Sequence, residues 1–214
     1  MAKNKEKYRI LDKFNVSRET YYLLEYYQEL ILDKNKEINL ISRKNNTNFY
    51  KRHILDCAQI YDFIDLNEKT CTDLGTGAGL PGIILAILLK GKNINYKMNL
   101  YEKSYRKSNF LKEVTEKLNL NVQIYQKDVF KEKNLISGSI VARAFKPLPI
   151  ILELIEMNFK NYSNLVVFMG KNGKQLLEDS IKNWNFEYKV MRSVTSNDSF
   201  ILNINNIKRK WKNK

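Results

Sequence analysis

The sequence predicts a doubly wound α/β domain with a mainly parallel sheet, preceded by a helical extension. Two observations support this prediction. After residue 69, short apolar runs alternate with stretches of helical periodicity, which is typical of a parallel sheet covered by helices on both faces. Five of the eight glycines also fall within residues 75–91, directly after the first apolar run. We therefore predict an extension over residues 1–69 and an α/β core over residues 70–214.

Each element of the core is assigned from its own pattern. Five short runs are the predicted parallel strands: Thr70–Leu74, Lys97–Tyr101, Val122–Tyr125, Ser139–Ala142 and Leu165–Met169. Four segments with helical spacing are the predicted helices: Leu80–Leu89, Lys103–Leu118, Pro147–Asn161 and Gly173–Asn183. The last two runs, Phe186–Arg192 and Phe200–Ile204, are predicted to form an antiparallel pair at the edge of the sheet.

The extension is predicted to contain two helices joined by a loop at residues 39–42. The first helix begins after Ser17, a residue type that caps helix N-termini. Its apolar positions recur at helical spacing and are Leu23, Leu24, Tyr27, Leu30 and Ile31. The second helix is indicated by the similarly spaced residues Tyr50, Ile54, Cys57, Tyr61 and Ile64.

Composition argues against several classes of protein. The longest apolar run, residues 78–89, contains a proline and is too short to cross a bilayer. The start of the chain lacks the apolar stretch of a signal peptide. Cys57 and Cys71 form no CxxC pair, and a single histidine adds little to a transition-metal site. We therefore expect a cytoplasmic protein with no metal and no membrane partner.

The charge distribution favours a polyanionic partner. The net charge is +14, and residues 70–214 hold 24 Lys and Arg against 12 Asp and Glu. Residues 208–214 carry five of these positive charges. Nucleic acid is the simplest partner for such a surface. A solvated basic surface with no such partner is the alternative.

The glycine loop at residues 73–82, DLGTGAGLPG, closes an apolar strand and opens an apolar helix. Its GxGxxG spacing over residues 77–82, with Glu102 about 20 residues further on, matches a dinucleotide-binding fingerprint. Its GxGxG spacing over residues 75–79, preceded by Asp73, matches the loop of class I methyltransferases instead. The loop could therefore bind either cofactor or no ligand, and its spacing alone does not decide among these three interpretations.

Acidic residues at the strand ends favour one cofactor over the other. Asp73, Glu102 and Asp128 lie at the ends of the first three predicted strands. Acids there would repel the pyrophosphate of a dinucleotide, whereas S-adenosylmethionine carries a sulfonium, an ammonium and no phosphate. Glu102 would accept from the ribose hydroxyls, and Asp128 would lie near the adenine amino group. S-adenosylmethionine is therefore the favoured cofactor.

Four segments occur in the order found in one family: NLI at 39–41, RHILD at 52–56, DLGTGAGLPG at 73–82 and ARAF at 142–145. Over residues 17–175 the chain resembles the RsmG (GidB) family of bacterial small-subunit ribosomal RNA methyltransferases. The resemblance implies a class I, Rossmann-like methyltransferase fold and S-adenosylmethionine as cofactor. It also implies that the acceptor is N7 of a guanine in 16S rRNA, guanine 527 in the usual rRNA numbering.

The resemblance also implies roles for individual residues. Gly75, Gly77 and Leu80 match the donor-binding loop of the family. Val129 and Phe130 match the pair whose backbone frames the adenine. Arg143 matches the family's arginine that is assigned to donor binding and to the active site.

The sequence departs from the family pattern at two places. Asp128 stands where many members have an arginine, and Met169 stands where many have a lysine. Lys171 either replaces that lysine, or the role of the lysine is not needed here.

Five residues are candidates for contact with RNA: Asn39, Arg52, His53, Lys146 and Lys171. Each also has a structural interpretation. His53 either bonds across to the α/β core or contacts the donor or the RNA. Arg52 either pairs with Asp56 one helical turn away or contacts the RNA. Asn39 either caps a turn or holds its loop over the cleft, and the two lysines either bind phosphate or are solvated.

Together these features predict a monomeric methyltransferase that acts on 16S rRNA or on the small ribosomal subunit. Guanine N7 has a lone pair and no proton, so its methylation needs positioning and a suitable electric field rather than a general base. Two alternatives are open. One is a methyltransferase for another RNA, a protein or a small molecule, and the other is a non-catalytic basic RNA-binding module.

Overall fold

The computed structural model of the protein describes residue 11, residues 14–42 and residues 49–210. The helices are α1 (Arg18–Lys34), α2 (Gly82–Gly91), α3 (Tyr105–Lys117), α4 (Leu148–Asn158) and α5 (Gly173–Asn183). The strands are β1 (Thr70–Leu74), β2 (Lys97–Tyr101), β3 (Val122–Tyr125), β4 (Leu135–Ile136), β5 (Ser139–Ala142), β6 (Phe159–Asn161), β7 (Asn164–Met169), β8 (Trp184–Arg192) and β9 (Phe200–Arg209). Between α1 and β1 lies an irregular segment made of a π-helical stretch (Tyr50–Leu55), a single α-helical turn (Asp56–Ala58) and a 3₁₀ turn (Tyr61–Phe63).

Seven strands form one sheet in the order β3-β2-β1-β5-β7-β9-β8. The first five strands of this order run parallel, whereas β9 is antiparallel to both of its neighbours, β7 and β8. The predicted α/β fold and the antiparallel edge pair are thus confirmed. The sequence did not predict β4, and the predicted helix Pro147–Asn161 was wrong at its end, because it stops at Asn158 and residues 159–161 form β6. Strands β4 and β6 form a separate two-stranded sheet.

Helix α2 explains why the extension packs against the sheet. Every residue from Ile83 to Leu89 is at most 6% exposed, so this helix is covered on all sides. A helix that is apolar all round is stable only when it is buried. Helix α1 provides part of that cover, and it lies so close that a Cβ on Gly91 would come within 2.0 Å of Thr20 Oγ1. The extension and the sheet therefore share one hydrophobic cluster.

The first helix of the extension is confirmed, since Ser17 Oγ accepts a hydrogen bond from Thr20 N at 3.3 Å. The second predicted helix is helical but irregular, and all five residues of its predicted apolar stripe are buried. Residues 39–42 lie outside helices and strands, as predicted. The division of the chain at residue 69 stays a prediction. Residues 211–214 of the basic tail lie outside the described residues.

Among the described helices, none has both the length and the apolar composition needed for a membrane crossing. The parallel strands place the candidate site at their carboxyl ends. Strand β1 lies between β2 and β5, so the loops that follow β1 and β5 diverge at the sheet edge. In open α/β sheets, such a switch point forms the ligand-binding crevice. The glycine loop follows β1, and Arg143 follows β5.

Candidate active site

The glycine loop has a backbone that side chains would obstruct. Gly75, Gly77 and Gly79 have φ values of +65°, +62° and +96°, in the region that favours glycine. A Cβ on Gly75 would lie 2.2 Å from the Phe145 ring. Beside Gly77, in contrast, the nearest atom to such a Cβ would be 3.9 Å away. The loop is therefore tight at Gly75 and has room beside the backbone at Gly77.

Asp73 fixes this loop from the end of β1. Its Oδ2 atom accepts hydrogen bonds from Thr76 Oγ1 at 2.6 Å and from Gly82 N at 2.8 Å. The carboxylate is fully buried, and its Oδ1 atom has no hydrogen-bond partner. Burial raises the pKa of Asp73 to about 6, although the two hydrogen bonds oppose this rise. Asp73 therefore closes the turn with one oxygen and leaves the other oxygen unsatisfied.

Glu102 performs the same kind of role from the end of β2. Its Oε2 atom accepts from Gly77 N at 3.1 Å, and its Oε1 atom accepts from Ser104 N at 2.7 Å. The residue is 8% exposed. Each carboxylate oxygen can accept a further hydrogen bond. Glu102 can therefore hold the glycine loop and still receive the hydroxyl groups of a ribose.

The hydrogen bonds made by the N–H groups of the loop distinguish between the two candidate cofactors. A dinucleotide pyrophosphate is normally bound by backbone N–H groups at the start of the helix. Here, those of Gly77 and Gly82 donate to the two carboxylates. The N–H groups of Gly79 and Leu80 both donate to Thr76 O. These four N–H groups are thus satisfied within the protein, and the loop is lined by acids, which suits a cationic ligand without phosphate.

The third acid lies further from its strand than predicted. Asp128 is three residues beyond the end of β3, and its Oδ1 atom accepts from Phe130 N at 3.2 Å. Val129 is buried, whereas Phe130 is 37% exposed and stacks on Phe145, with ring centroids 5.9 Å apart. Because Phe145 also packs on Gly75, this aromatic pair connects the loop after β3 to the glycine loop.

Arg143 joins the end of β5 to the irregular segment of the extension. Its Nε atom donates to Asp56 Oδ2 at 3.0 Å, and its Nη2 atom donates to the Arg52 carbonyl at 2.9 Å. The same Nη2 atom lies 3.3 Å from His53 Nδ1. The structural interpretation of His53, as a residue that bonds across to the core, is thus confirmed. The ion pair that Asp56 forms is to Arg143.

His53 is buried and neutral in this position. Burial and, to a smaller extent, the charge of Arg143 together lower the pKa of His53 to about 4. Because a guanidinium only donates hydrogen bonds, Nδ1 is the acceptor and the ring proton is on Nε2. That Nε2 atom is buried and has no partner. A protonation role for His53 near neutral pH is therefore disfavoured by its surroundings.

The other four candidates for RNA contact are all exposed. Arg52, Lys146 and Lys171 all have exposed side chains, and Lys171 follows β7, whose Phe168 ring lies 6.0 Å from Arg143 Cζ. Asn39 is exposed in its loop, where Asn35 rather than Asn39 accepts from Leu40 N and Ile41 N. Contact of these residues with RNA stays a prediction.

Tyr27 contacts the glycine loop and was not among the predicted site residues. This residue of α1 is fully buried, and its hydroxyl donates to Ala78 O of the glycine loop at 2.6 Å. Its position in an apolar stripe indicated a core residue and gave no sign of a polar role. Phe145 and Asp56 were also missed, although both lie within the ARAF and RHILD segments that carried the resemblance.

The residues present fit S-adenosylmethionine. Four acids lie at this edge, namely Asp56, Asp73, Glu102 and Asp128, whereas Arg143 is already paired. The unsatisfied Asp73 Oδ1 atom adds a buried acceptor. Among the described residues, no group of three His, Cys, Asp or Glu is arranged to hold a metal ion.

Fold and site together define a class I, S-adenosylmethionine-dependent methyltransferase. Among solved structures, a SAM-dependent methyltransferase from Aquifex aeolicus has a TM-score of 0.53 at 18% identity, over 70% of this chain and 88% of that chain. The 16S rRNA methylase RmtB also has a TM-score of 0.53, at 13% identity, over 88% and 75% of the two chains. At these identities the likeness concerns the fold alone.

The chain belongs to the GidB family, rRNA small subunit methyltransferase G, whose family model matches residues 20–204. A ribosomal RNA small subunit methyltransferase G from Pelagibacter ubique is 47% identical over 95% of this chain and 96% of its own length. A protein of the same name from Rickettsia akari is 36% identical over 90% of this chain and 97% of its own length. The predicted family and cofactor are thus confirmed, whereas the individual donor-binding residues stay predictions.

Proposed function

We propose that the protein transfers a methyl group from S-adenosylmethionine to N7 of a guanine in 16S rRNA, guanine 527 in the usual rRNA numbering. The names of its relatives support a substrate in the small ribosomal subunit. The excess of 14 positive charges supports a polyanionic partner. We further propose that the protein works as a monomer in the cytoplasm, on naked 16S rRNA or on the assembled subunit.

The observation that favours N7 is that the two buried candidates for a base, His53 and Asp73, already make hydrogen bonds within the protein. The imidazole of His53 is buried, and its Nδ1 atom accepts from Arg143. Asp73 is fully buried, and one of its oxygens closes the glycine loop. An exocyclic amine or a ring N–H would lose a proton during methylation, whereas N7 has none to lose. The site is therefore suited to an acceptor that needs no base.

The proposed roles of the residues follow from their surroundings. The bound cofactor supplies an electrophilic methyl group on a sulfonium. Glu102 binds the ribose hydroxyls, and the backbone of Gly75 and Gly77 lies against the cofactor. Val129 and Phe130 frame the adenine, and Asp128 receives its amino group. Arg143, which touches the reacting groups in this proposal, has its charge cancelled by Asp56, so the site tolerates the cationic 7-methylguanine product.

The RNA would approach the same edge of the sheet. We propose that Arg52, Lys146 and Lys171 contact its phosphates, and that Asn39 and the neighbouring His53 segment line the path to the cofactor. Lys171 would take the place of the lysine that many relatives have at position 169. Such contacts release counterions, so RNA affinity should fall steeply with salt concentration.

An atom-replacement experiment tests the acceptor. The substrate is 16S rRNA with 7-deazaguanine at the target position, which keeps the base-pairing edge and places carbon at position 7. Methyl transfer should be abolished while RNA binding changes little. RNA with inosine at that position retains N7 and should still be methylated. Transfer to the 7-deaza substrate at a normal rate would refute N7 and make Asp128 the first candidate for a base.

A further inference from the structure

A largely buried polar cluster joins three separate segments of the chain. Its centre is the ion pair between Arg143 and Asp56, whose side chains are only 18% and 15% exposed. Arg143 comes from the loop after β5, and Asp56 comes from the extension. Buried pairs of this kind depend on additional hydrogen bonds, because both charges have lost much of their hydration.

Those additional bonds come from the loop between β8 and β9 and from Gln59 of the extension. Thr195 Oγ1 donates to Asp56 Oδ1 at 2.6 Å, and Gln59 Nε2 donates to the same oxygen at 2.9 Å. The loop is held a second time, since Val194 N donates to Gln59 Oε1 at 2.9 Å. Both carboxylate oxygens of Asp56 are thus used, one toward Arg143 and the other toward this loop.

The cluster lies beside the cofactor crevice. In the sheet, Asp73 of β1 is paired with Val141 of β5, so Gly75 and Arg143 each follow the paired position by two residues. Phe145, two residues beyond Arg143, packs on Gly75. An unpaired guanidinium at this place would repel a cationic ligand across a short, poorly hydrated distance.

We propose that Asp56 is a positioning residue for donor binding, which holds Arg143 in place and cancels its charge beside the sulfonium. This inference rests on the proposed use of S-adenosylmethionine, but not on the identity of the RNA or of the acceptor atom. Asp56 does not itself touch the donor. Its effect therefore depends on the charge that the donor carries at sulfur.

The test compares two ligands that differ in that charge. Calorimetry on the full chain without RNA gives the affinity for S-adenosylmethionine, which has a sulfonium, and for S-adenosylhomocysteine, which has a neutral thioether. In D56N, the ratio of the two affinities should shift about tenfold against S-adenosylmethionine, as expected for one uncompensated charge in a partly buried site. A purely structural role would weaken both ligands equally and leave the ratio unchanged.

Four further variants make the result decisive. D56E keeps the charge, so the ratio should remain that of the wild type even if both affinities fall. D56N/R143Q removes both charges and should restore the ratio. R143Q alone leaves the Asp56 charge uncompensated and should shift the ratio toward S-adenosylmethionine, so it tests the proposal if D56N does not fold. As a matched control, D179N removes an exposed carboxylate that pairs with Lys182, and it should leave the ratio unchanged.

The proposal is overturned if the ratio is the same in D56N, D56N/R143Q and the wild type. If neither ligand binds the wild-type protein, the proposed function fails instead. The two failures are therefore distinguishable.

Discussion

The two ends of the sheet differ in how deeply their polar and charged groups are buried, and the size of a cavity does not reveal this difference. The groove between α4 and the start of β8 is large, about 930 Å³, and is lined by Ile150, Trp184 and Arg209 among others. Its ion pair, Arg209 to Glu153, spans 3.7 Å and is 60% and 49% exposed. At the carboxyl edge of the parallel strands, in contrast, Asp73, Glu102 and His53 are buried, and one polar atom each of Asp73 and His53 lacks a hydrogen-bond partner.

This difference favours the carboxyl edge as the place of the chemistry. Exposed pairs contribute little to stability or binding, because water and salt screen them. Buried polar groups without partners are costly, and they persist where a ligand or a mechanism uses them. We therefore expect substitutions at the carboxyl edge to change donor binding strongly, and substitutions in the groove to change it little. Four predictions test this expectation, beginning with the largest effect.

G75A should produce the largest effect. Alanine at this position has an unfavourable φ, and its Cβ would overlap the Phe145 ring. We expect a loss of about 1–3 kcal/mol in the free energy of unfolding, measured by urea denaturation, and a more than roughly 100-fold loss of donor affinity. G170A is the matched control, since nothing lies within 4 Å of its added Cβ, and it should resemble the wild type. Normal donor binding by G75A would contradict the placement of the site.

D73N should gain stability relative to wild type as the pH rises and should at the same time weaken donor binding. Because the pKa of Asp73 is raised from 3.8 to about 6, the folded state binds the proton more tightly than the unfolded chain. The stability this provides is complete below about pH 4 and is lost as the pH rises through 6. The unfolding free energy of D73N, relative to wild type, should therefore rise by about 2–3 kcal/mol over that range.

Donor affinity of D73N should fall by roughly tenfold, because a charged acceptor is removed. D179N, which removes an exposed carboxylate on α5, is the control for both measurements. A pH-independent difference between D73N and wild type would show that Asp73 titrates normally in the fold.

Y27F tests whether the extension supports the glycine loop. The variant removes the hydroxyl that donates to Ala78 O and leaves that carbonyl without its partner. We expect a loss of about 1 kcal/mol in unfolding free energy, together with a several-fold weaker donor affinity. Y22F removes a hydroxyl from the same helix at a residue that is 66% exposed, and it should change neither the unfolding free energy nor the donor affinity. Equal effects of the two variants would contradict a specific role for Tyr27.

R209A, in the groove, should have the smallest effect. Its ion pair is exposed, and its contact with the Trp184 ring is at 5.6 Å. We expect at most about 1 kcal/mol in unfolding free energy and no change in donor affinity. RNA affinity should become less dependent on salt, by about one unit of the logarithmic slope if Arg209 contacts a phosphate. R209K, which keeps the charge, should retain the wild-type slope. A loss of donor affinity in R209A would contradict the expectation that only the carboxyl edge of the sheet affects donor binding.

Much of the fold was predictable because it depends on local patterns. The bounds of β1, β2, β3 and β5 agree with the prediction, since each strand is a short run between clear breaks. Helix α5 also has the predicted bounds, and β7 begins one residue earlier than predicted. The short sheet of β4 and β6 was not predictable, because Leu135–Ile136 is too short to show any periodicity. The irregular helical segment after Phe49 retained its apolar stripe and lost its regular hydrogen bonding.

The sequence by itself determined the fold class, the glycine loop, the acids at the strand ends and the family. These features are encoded by spacing along the chain, which local sterics and charge convert directly into backbone geometry. Only the tertiary structure decided which oxygen of Asp73 is satisfied, that Tyr27 holds the loop, and that Arg143 pairs with Asp56. The contacts of Tyr27 and Arg143 join residues that are 51 and 87 positions apart in the chain, so they depend on how helices and strands pack. Asp73 makes its contacts within the glycine loop, but packing determines its burial. A sequence pattern fixes the residue types at a site, whereas packing fixes their partners and therefore their charges.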